Sequence, residues 1–414
     1  MNLQFRRTAA CATILVVGAL RALPAQQSRG AALTFGDALA AALRGNPDLH
    51  IAQAILDSSR AEQRIARAYP NPFVQAIPNT PFQYNITLPI DIGPQRIFRV
   101  RAGTLGARGS MADVADAKRQ LTLAVARAFT DVLLADAQFR ISMQRRQGVL
   151  QLLQGDSARA RAGDIADRAV TRSEIELARA DADLARSGID RQTSRLTLQG
   201  LMGTTTPDTA LVVSGTLAYQ PVTLDYDRLV ERALRTRPDV DASRVREEQS
   251  RALVGLARSA VVPIPQLTYS RQFTAPFESG HFYALGLGVE LPIATQYGGQ
   301  RDRAAAGAEA TSFIRRRLET QVRRDVLEAV TELRTQSALV ERYQRGLLQK
   351  VQANADATRY AYEKGATSLL DLLDAIRTQQ EVSSEHQRAL HDYAVSLRVL
   401  EANVGGAIGD NAPP

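Results

Sequence analysis

The stretch ALRGNPDL at positions 42–49 returns, slightly changed, as ALRTRPDV at positions 233–240. The match extends without a gap from Leu33, which aligns with Leu224, to Pro72, which aligns with Pro263. Both pairs lie 191 positions apart. Further along the chain the offset grows, and Gly163 aligns with Gly365 at 202 positions. A unit of about 180 residues therefore occurs twice, which is far longer than a solenoid repeat and indicates duplication of one large element.

The first 25 residues have the pattern of a secretory signal peptide. Arg6 and Arg7 precede a short apolar run, and small residues lie near Ala25. A membrane anchor helix is the alternative, although Arg21 interrupts the run. The only cysteine, Cys11, falls inside this segment, so the exported chain would contain none.

The charge pattern gives no indication of a nucleic-acid partner. The formal net charge is +8, and loss of the three arginines of the signal peptide would leave +5 on almost four hundred residues. The remaining arginines alternate with Asp and Glu, as on solvated helix faces.

The prolines divide each repeat into a short helix, a broken segment and a long arm. No proline lies between Pro94 and Pro207 or between Pro292 and Pro413, whereas prolines crowd the windows just before these intervals. Each interval is therefore predicted to be an uninterrupted helical arm that turns back on itself.

Both arms carry apolar or small residues at heptad spacing, which predicts coiled-coil helical hairpins. Gly163 and Gly365 mark the turns. A helix from Gln95 to Ala162 would be about 100 Å long. The heptad positions are Leu121, Val125, Ala128, Val132, Ala135 and Phe139 in the first arm, and Val322, Val326, Ala329, Leu333, the polar Gln336 and Val340 in the second, 201 positions later.

The proline-rich windows alternate apolar and polar residues with period two, which indicates strands. About four strands are expected per chain, either as a small soluble sheet capping the coiled coil or as transmembrane barrel strands. Four strands cannot close, and an open edge cannot lie in lipid, so a membrane barrel would need three chains and twelve strands to leave a lumen. The apolar face in the first repeat consists of Phe82, Tyr84, Ile86, Leu88 and Ile90.

No motif for enzyme chemistry, a metal site or a cofactor is found. His386 and His391 are five positions apart, about 140° around a helix, so they do not share a ligand face. The GLG stretch at Gly286 lacks the third glycine and the following helix of a phosphate loop.

The paired NPDL and RPDV helices, the PNP and VVP passages, the GPQR and GGQR stretches and the two glycine tips resemble the TolC-type outer membrane efflux channels, from Leu33 to Gly405. The resemblance implies a mainly α fold with a β-barrel part. Tandem-duplicated coiled-coil hairpins and about four transmembrane strands per chain would form a homotrimer, with a 12-stranded barrel in outer membrane lipid and a 12-helix periplasmic tunnel. The expected segments are a signal peptide at 1–25, repeats at 33–203 and 224–405, a linker at 204–223 and a tail at 406–414.

The function implied by the resemblance is passive conduction. The channel would be the exit duct of a tripartite system, joined by a periplasmic adaptor to an inner-membrane transporter of the RND type. A periplasmic coiled-coil adaptor or scaffold without a pore is the alternative. The ARAYPNP and GPQR stretches are more similar to the branch paired with heavy-metal or cation exporters, but substrate identity is expected to reside in the pump.

The resemblance also suggests functional residues near the tips. Asp371, Asp374 and Tyr362 match positions at the pore entrance and gate. Gly163 and Gly365 are expected at the tips that dock the adaptor, although these glycines could instead only end helices.

The chain departs from the family pattern at two gate positions. Thr367 and Ala169 stand where a basic residue and its acidic partner are expected, and Arg172 or Asp167 are the candidate substitutes.

Overall fold

The computed structural model describes residues 32–78, 82–273, 281–293 and 295–408. The expected signal peptide, with Cys11, lies outside the described residues, as does most of the expected C-terminal tail. Within the described part, the chain forms mostly α-helix with one small antiparallel sheet.

The two repeats have the same order of elements. The first repeat contains α1 (Phe35–Gly45), α2 (Pro47–Arg67), β1 (Phe73–Ile77), β2 (Gln83–Pro89), α3 (Pro94–Arg161) and α4 (Asp167–Leu201). The second contains α5 (Tyr226–Thr236), α6 (Pro238–Ser259), β3 (Pro265–Phe273), β4 (His281–Val289), α7 (Gly298–Arg342), a π-helical turn (Tyr343–Leu347), α8 (Leu348–Glu363) and α9 (Leu369–Asn403).

The repeated NPDL motif joins the two short helices of the first repeat to the end of its hairpin. Asn46 caps α2, because its Oδ1 accepts hydrogen bonds from the backbone N–H groups of Asp48 and Leu49 at 3.0 and 3.3 Å. Pro47 begins α2 at a position where no N–H is needed. The Asn46 Nδ2 donates to the carbonyl oxygen of Leu201 at 3.0 Å, which fixes the helix break against the end of α4.

The second repeat makes the same junction with different side chains. Thr236 Oγ1 donates to the carbonyl oxygen of Val404 at 2.8 Å, at the end of α9. The buried Arg237 forms ion pairs with Asp239 at 2.8 Å and Asp325 at 3.2 Å. Burial alone would lower the pKa of Arg237, but the two carboxylates outweigh it and raise the pKa, so this guanidinium stays charged.

The helix α3 is the central element of the fold, and it confirms the long arm predicted from sequence. It contains 68 residues and packs against α2, α4, α6 and α9. The heptad residues Val125 and Val132 are fully buried in a core with α1 and α2, and Val322 and Val326 occupy the equivalent core beneath α5. Duplication of the sequence thus produces two similar cores side by side.

The second arm is interrupted, which corrects the expectation of two uninterrupted arms. Between α7 and α8 the helix is kinked at the π-helical turn, where Arg345 and Gly346 depart from helical backbone angles and Gly346 has φ of +115°. The repeat offset is 201 at Phe139 and Val340 but 202 at Gly163 and Gly365, so the second arm contains one extra residue between these points. A π turn accommodates one inserted residue without changing the faces of the flanking helices.

The sheet has one apolar and one mainly polar face. Strands pair antiparallel in the order β1-β2-β3-β4, and this register aligns Ile86, Tyr269 and Leu285 in one row and Leu88, Leu267 and Leu287 in the next. The opposite face carries rows such as Thr87 with Thr268 and Asn85 with Ser270. Phe82 and Ile90, which were expected on the apolar face, lie just outside the two ends of β2.

Candidate pore entrance and hairpin tips

The two predicted glycine turns lie at the tips of the helical hairpins. Gly163 follows α3 with φ of +84°, and Gly365 follows α8 with φ of +74°. In each turn the next backbone N–H donates to the carbonyl oxygen five positions earlier, from Asp164 to Arg159 at 2.9 Å and from Ala366 to Ala361 at 2.8 Å. A Cβ at either glycine would meet no atom within 4 Å. The left-handed backbone, rather than crowding, therefore favours glycine here.

Asp371 caps helix α9 beside the second tip. Its backbone N–H donates to Ser368 Oγ at 3.3 Å, and its Oδ2 accepts from the Ser368 hydroxyl at 2.6 Å and from the Thr367 hydroxyl at 2.9 Å. These hydrogen bonds, first from Ser368 and then from Thr367, lower the pKa of Asp371. The carboxylate therefore stays ionised while it holds the first turn of α9.

Asp374 lies one turn further along the same helix. Both aspartates are exposed, whereas Leu372, Leu373 and Ile376 between and beside them are buried. The structure therefore places the two predicted entrance carboxylates on the solvent side of α9.

Tyr362 lies on the inner side of α8, away from the two aspartates. Its ring is buried among Leu152, Leu372 and Ile376. Its hydroxyl donates to Oδ1 of Asp156 on α3 at 2.6 Å. Burial and then the Asp156 carboxylate raise the pKa of Tyr362 to about 12, so the hydroxyl keeps its proton at physiological pH.

Asp156 is the acidic partner that sequence reasoning missed. Its side chain is 1% exposed and accepts a second hydrogen bond, from Ser173 Oγ on α4, at 2.5 Å. The candidate substitutes Arg172 and Asp167 are both exposed, and the Tyr362 hydroxyl bonds to Asp156 instead. Asp156 thus joins both helices of the first hairpin to the second hairpin.

The heptad pattern contained a signal for this pair. Continued beyond Phe139, the spacing of three and four reaches Asp156, an acidic residue at a core position. In the second arm the spacing of three and four continues beyond Val340. It reaches Ala355 and Tyr362 only if one position is added for the extra residue of the π turn. Both are buried. The π turn therefore keeps Tyr362 in phase with the core above it.

A second polar contact between the hairpins lies above the tips. Glu176 on α4 is buried and pairs with Arg377 on α9, with Arg179 at 2.8 Å and with Arg145 at 3.9 Å. Removal of any one cation would leave two others near this carboxylate. The contact is therefore a network, whereas the Tyr362 hydroxyl has a single carboxylate partner.

The sequence and this architecture match one known family. The outer membrane efflux protein family matches residues 38–204 and 229–406. The chain belongs to this family. Its fold, a set of long helical hairpins with a small antiparallel sheet, confirms the expected fold class, and it is an outer membrane efflux channel rather than an enzyme.

Individual relatives agree with the assignment. The efflux channel is 27% identical over 355 residues to the cobalt-zinc-cadmium resistance protein CzcC of Cupriavidus metallidurans, covering 84% of each chain. Among solved structures it is similar to CusC (TM-score 0.77, 18% identity, 90% of this chain and 92% of that one). It is also similar to VceC of Vibrio cholerae (TM-score 0.76, 19% identity, 90% and 96%).

Two further findings concern only the described residues of the channel. No helix there is both long enough and apolar enough to cross a membrane. No group of three or more His, Cys, Asp or Glu side chains in this part of the chain is arranged to hold a metal ion.

Proposed function

We propose that three copies of this efflux channel form one continuous duct, with a shared twelve-stranded barrel in the outer membrane and a periplasmic helical tunnel. The apolar face that includes Tyr84, Ile86 and Leu88 faces lipid. The tips at Gly163 and Gly365 dock a periplasmic adaptor, which connects the duct to an inner-membrane transporter of the RND type. The exported solutes are divalent metal cations.

The observation that carries this proposal is the open four-stranded sheet. In the described chain, β1 pairs only with β2 and β4 pairs only with β3, so each leaves one edge of backbone N–H and C=O groups without a strand partner. The apolar face is also uncovered, and the side chain of Leu285 is 74% exposed. A barrel shared by copies of the chain pairs both edges and places this face in lipid.

The duplicated helices support side-by-side assembly. Helix α6 packs along both α3 and α7, whereas α2 packs along α3. Ala242 and Val245 on α6 are buried, but their counterparts Ile51 and Ala54 on α2 are exposed. In the proposed trimer, α7 of the neighbouring copy covers this face of α2.

The substrate class rests on similarity and charge. The relative CzcC is named for resistance to cobalt, zinc and cadmium. Three copies of Asp371 and Asp374 would place six carboxylates near the tunnel entrance, and rings of carboxylates favour cations over anions. The channel would conduct these cations without holding them.

The membrane placement can be tested with two substitutions on one strand. Ile86→Arg places a charge on the proposed lipid face and should cost about 2–4 kcal/mol if the residue lies near mid-bilayer. Thr87→Arg, the control, places the same charge on the opposite face of β2. We expect Ile86→Arg to reduce the yield of heat-resistant trimer in detergent extracts of outer membrane, and Thr87→Arg to leave it unchanged. Equal yields from both variants would contradict the placement.

The substrate class requires a separate measurement. Deletion of the gene should lower growth in cobalt, zinc or cadmium salts, and the wild-type gene should restore it. Unchanged metal tolerance together with intact trimers would reject the substrate class and leave the channel assignment in place.

A further inference from the structure

Arg271 is the only Lys, Arg, Asp or Glu residue in the four described strands. It pairs across β3 with Tyr84 on β2 and Tyr283 on β4, so it shares the face of Ile86, Leu267 and Leu287. An arginine on a lipid-facing surface is strongly unfavourable at mid-bilayer and nearly neutral at the membrane interface. An arginine on this apolar face is therefore expected to lie at the membrane surface and to have a binding partner there.

The position of Arg271 along the strand fits the outer surface. β3 begins at Pro265, near the end of α6, and Arg271 lies six residues further on, about 20 Å along a strand. Since the helices occupy the periplasmic side, this end of the sheet faces outward.

Aromatic side chains gather at the same end of the sheet, as in the belts of membrane proteins. The rings of Phe82 and Tyr84 lie 6.0 and 5.7 Å from the ring of Phe273. Arg271 therefore sits within the outer aromatic belt.

The surroundings of Arg271 suit an anion. Its guanidinium carbon lies 4.9 Å from the centre of the Phe273 ring. On the neighbouring strands, Tyr84 and Tyr283 carry phenol groups in the same row. Among the described residues Arg271 forms no ion pair, in contrast to the many paired arginines of the helical region. One cation and two hydroxyl donors thus lie side by side on three adjacent strands.

We propose that Arg271 binds a phosphate group of an outer-leaflet glycolipid, flanked by Tyr84 and Tyr283. The planar guanidinium matches phosphate oxygens with two parallel hydrogen bonds, while the acyl chains of the same lipid cover the apolar rows below. A lipid phosphate is a more suitable ligand than a protein carboxylate, because the rows of aromatic side chains beside Arg271 continue directly into the proposed lipid-facing surface. The inference rests on the proposed membrane placement of the sheet.

The test compares lipid binding by purified trimers in neutral detergent. Diphosphoryl lipid A, the same lipid without phosphate, and inorganic phosphate are each titrated against wild type, Arg271→Gln, Arg271→Lys and the control Arg258→Gln on α6. Binding is measured by native mass spectrometry and by the thermal midpoint. We expect the affinity for diphosphoryl lipid A to fall roughly tenfold or more in Arg271→Gln, because a hydrogen-bonded charge contributes about 1.5–3 kcal/mol. Arg271→Lys should retain part of it, and Arg258→Gln all of it.

Several outcomes would overturn the proposal. If wild type and Arg271→Gln bind diphosphoryl lipid A with equal affinity, Arg271 is not a phosphate site. The same conclusion follows if wild type binds the dephosphorylated lipid as tightly as diphosphoryl lipid A. An equal response to inorganic phosphate would reject the lipid as the source of the phosphate. If Ile86→Arg assembles normally, the membrane placement itself fails; if only the Arg271 comparison fails, the placement stands without this lipid contact.

Discussion

Asp156 is a buried carboxylate with two hydroxyl donors, and the Tyr362 hydroxyl is the donor that comes from the other hairpin. Tyr362→Phe removes one hydroxyl and keeps the buried ring. We expect the contact between the hairpins to weaken by about 1–2 kcal/mol, because a buried acceptor loses one of its partners. An entrance held closed by this contact should therefore open more often, seen as higher mean conductance in planar bilayers.

Tyr360→Phe is the matched control for this change. Tyr360 lies on the same helix, but its side chain is 64% exposed. This variant should conduct like wild type. Identical conductance of Tyr362→Phe and wild type would show that the contact with Asp156 does not control the gate.

His391 makes a pH-dependent contact between α9 and α3. Its Nε2 lies 2.7 Å from Oδ1 of Asp131, and its Nδ1 lies 2.9 Å from Oδ1 of Asp392. Burial alone would lower the pKa of His391, but the two aspartates outweigh it and raise the pKa above 6.5. The stability contributed by this contact is therefore complete below pH 6.5 and is lost as the pH rises through the raised value.

His391→Gln measures this contribution. The difference in thermal midpoint between wild type and the variant should be largest at pH 5–6 and should shrink toward pH 9. Tyr362 does not add to this profile, since its pKa of about 12 lies above the range. A difference that does not change with pH would show that His391 is not charged in the folded chain.

The residues at the tips show how far sequence reasoning reaches. Gly163 and Gly365 were predicted correctly as turns, because left-handed helix caps have a strong local signature. Asp156 was missed because the heptad pattern marks it only as an acidic residue at a core position, and its partner Tyr362 lies 206 positions away. The roles of Asp371 and Asp374 in the pore entrance stay predictions; the cap formed by Asp371 is an additional structural role.

At the scale of elements, alanine substitution of two glycines in equivalent arms is expected to have opposite effects on stability. Gly148 lies inside α3 with regular helical geometry and no atom within 4 Å of a Cβ. Gly148→Ala should stabilise the chain by about 0.5–1 kcal/mol, since glycine is a poor helix former. Gly346 lies in the π turn with φ of +115°, which an alanine adopts only under strain. Gly346→Ala should therefore destabilise it by about 1 kcal/mol or more.

Thermal unfolding of the two purified variants checks the sign of each effect. Free space around Gly346 excludes steric overlap as the cause, because no atom lies within 4 Å of its Cβ position. A stabilising Gly346→Ala would mean that the arm straightens into ordinary helix when alanine is present.

Elements with a strong period were predicted closely. The first arm was expected from Gln95 to Ala162 and is found at Pro94–Arg161. One of the strands expected in the proline-rich windows is found at Pro265–Phe273. The π turn was not predicted, because one inserted residue leaves the heptad spacing of apolar residues unchanged both before and after it. Its only trace in the sequence is the change of the repeat offset from 201 to 202.

At the scale of the whole molecule, the exposed face of α2 tests the assembly. Ile51 is 58% exposed in the single chain and is proposed to lie against α7 of a neighbouring copy. Ile51→Glu would bury a charge in that interface, so the fraction of trimer in detergent should fall.

Gln53→Glu adds the same carboxylate two positions away, about 200° around the helix, and should not affect the trimer. Loss of trimer in Gln53→Glu alone, or in neither variant, would place the interface elsewhere. The match between α2 and α6 that leads to this prediction was visible in the duplicated sequence. Which face each helix uses was not, because it depends on the neighbours that each copy acquires.

The π turn also has a mechanical consequence. In the proposed tripartite assembly, the adaptor would press on the channel along its long axis through the two tips. The first hairpin contains α3, a continuous helix of 68 residues without a π turn. The second contains a joint at Tyr343–Leu347, above the Tyr362 contact. The same thrust would therefore leave the first hairpin as a rigid strut and flex the second, so that force applied equally to both tips is converted into unequal displacement.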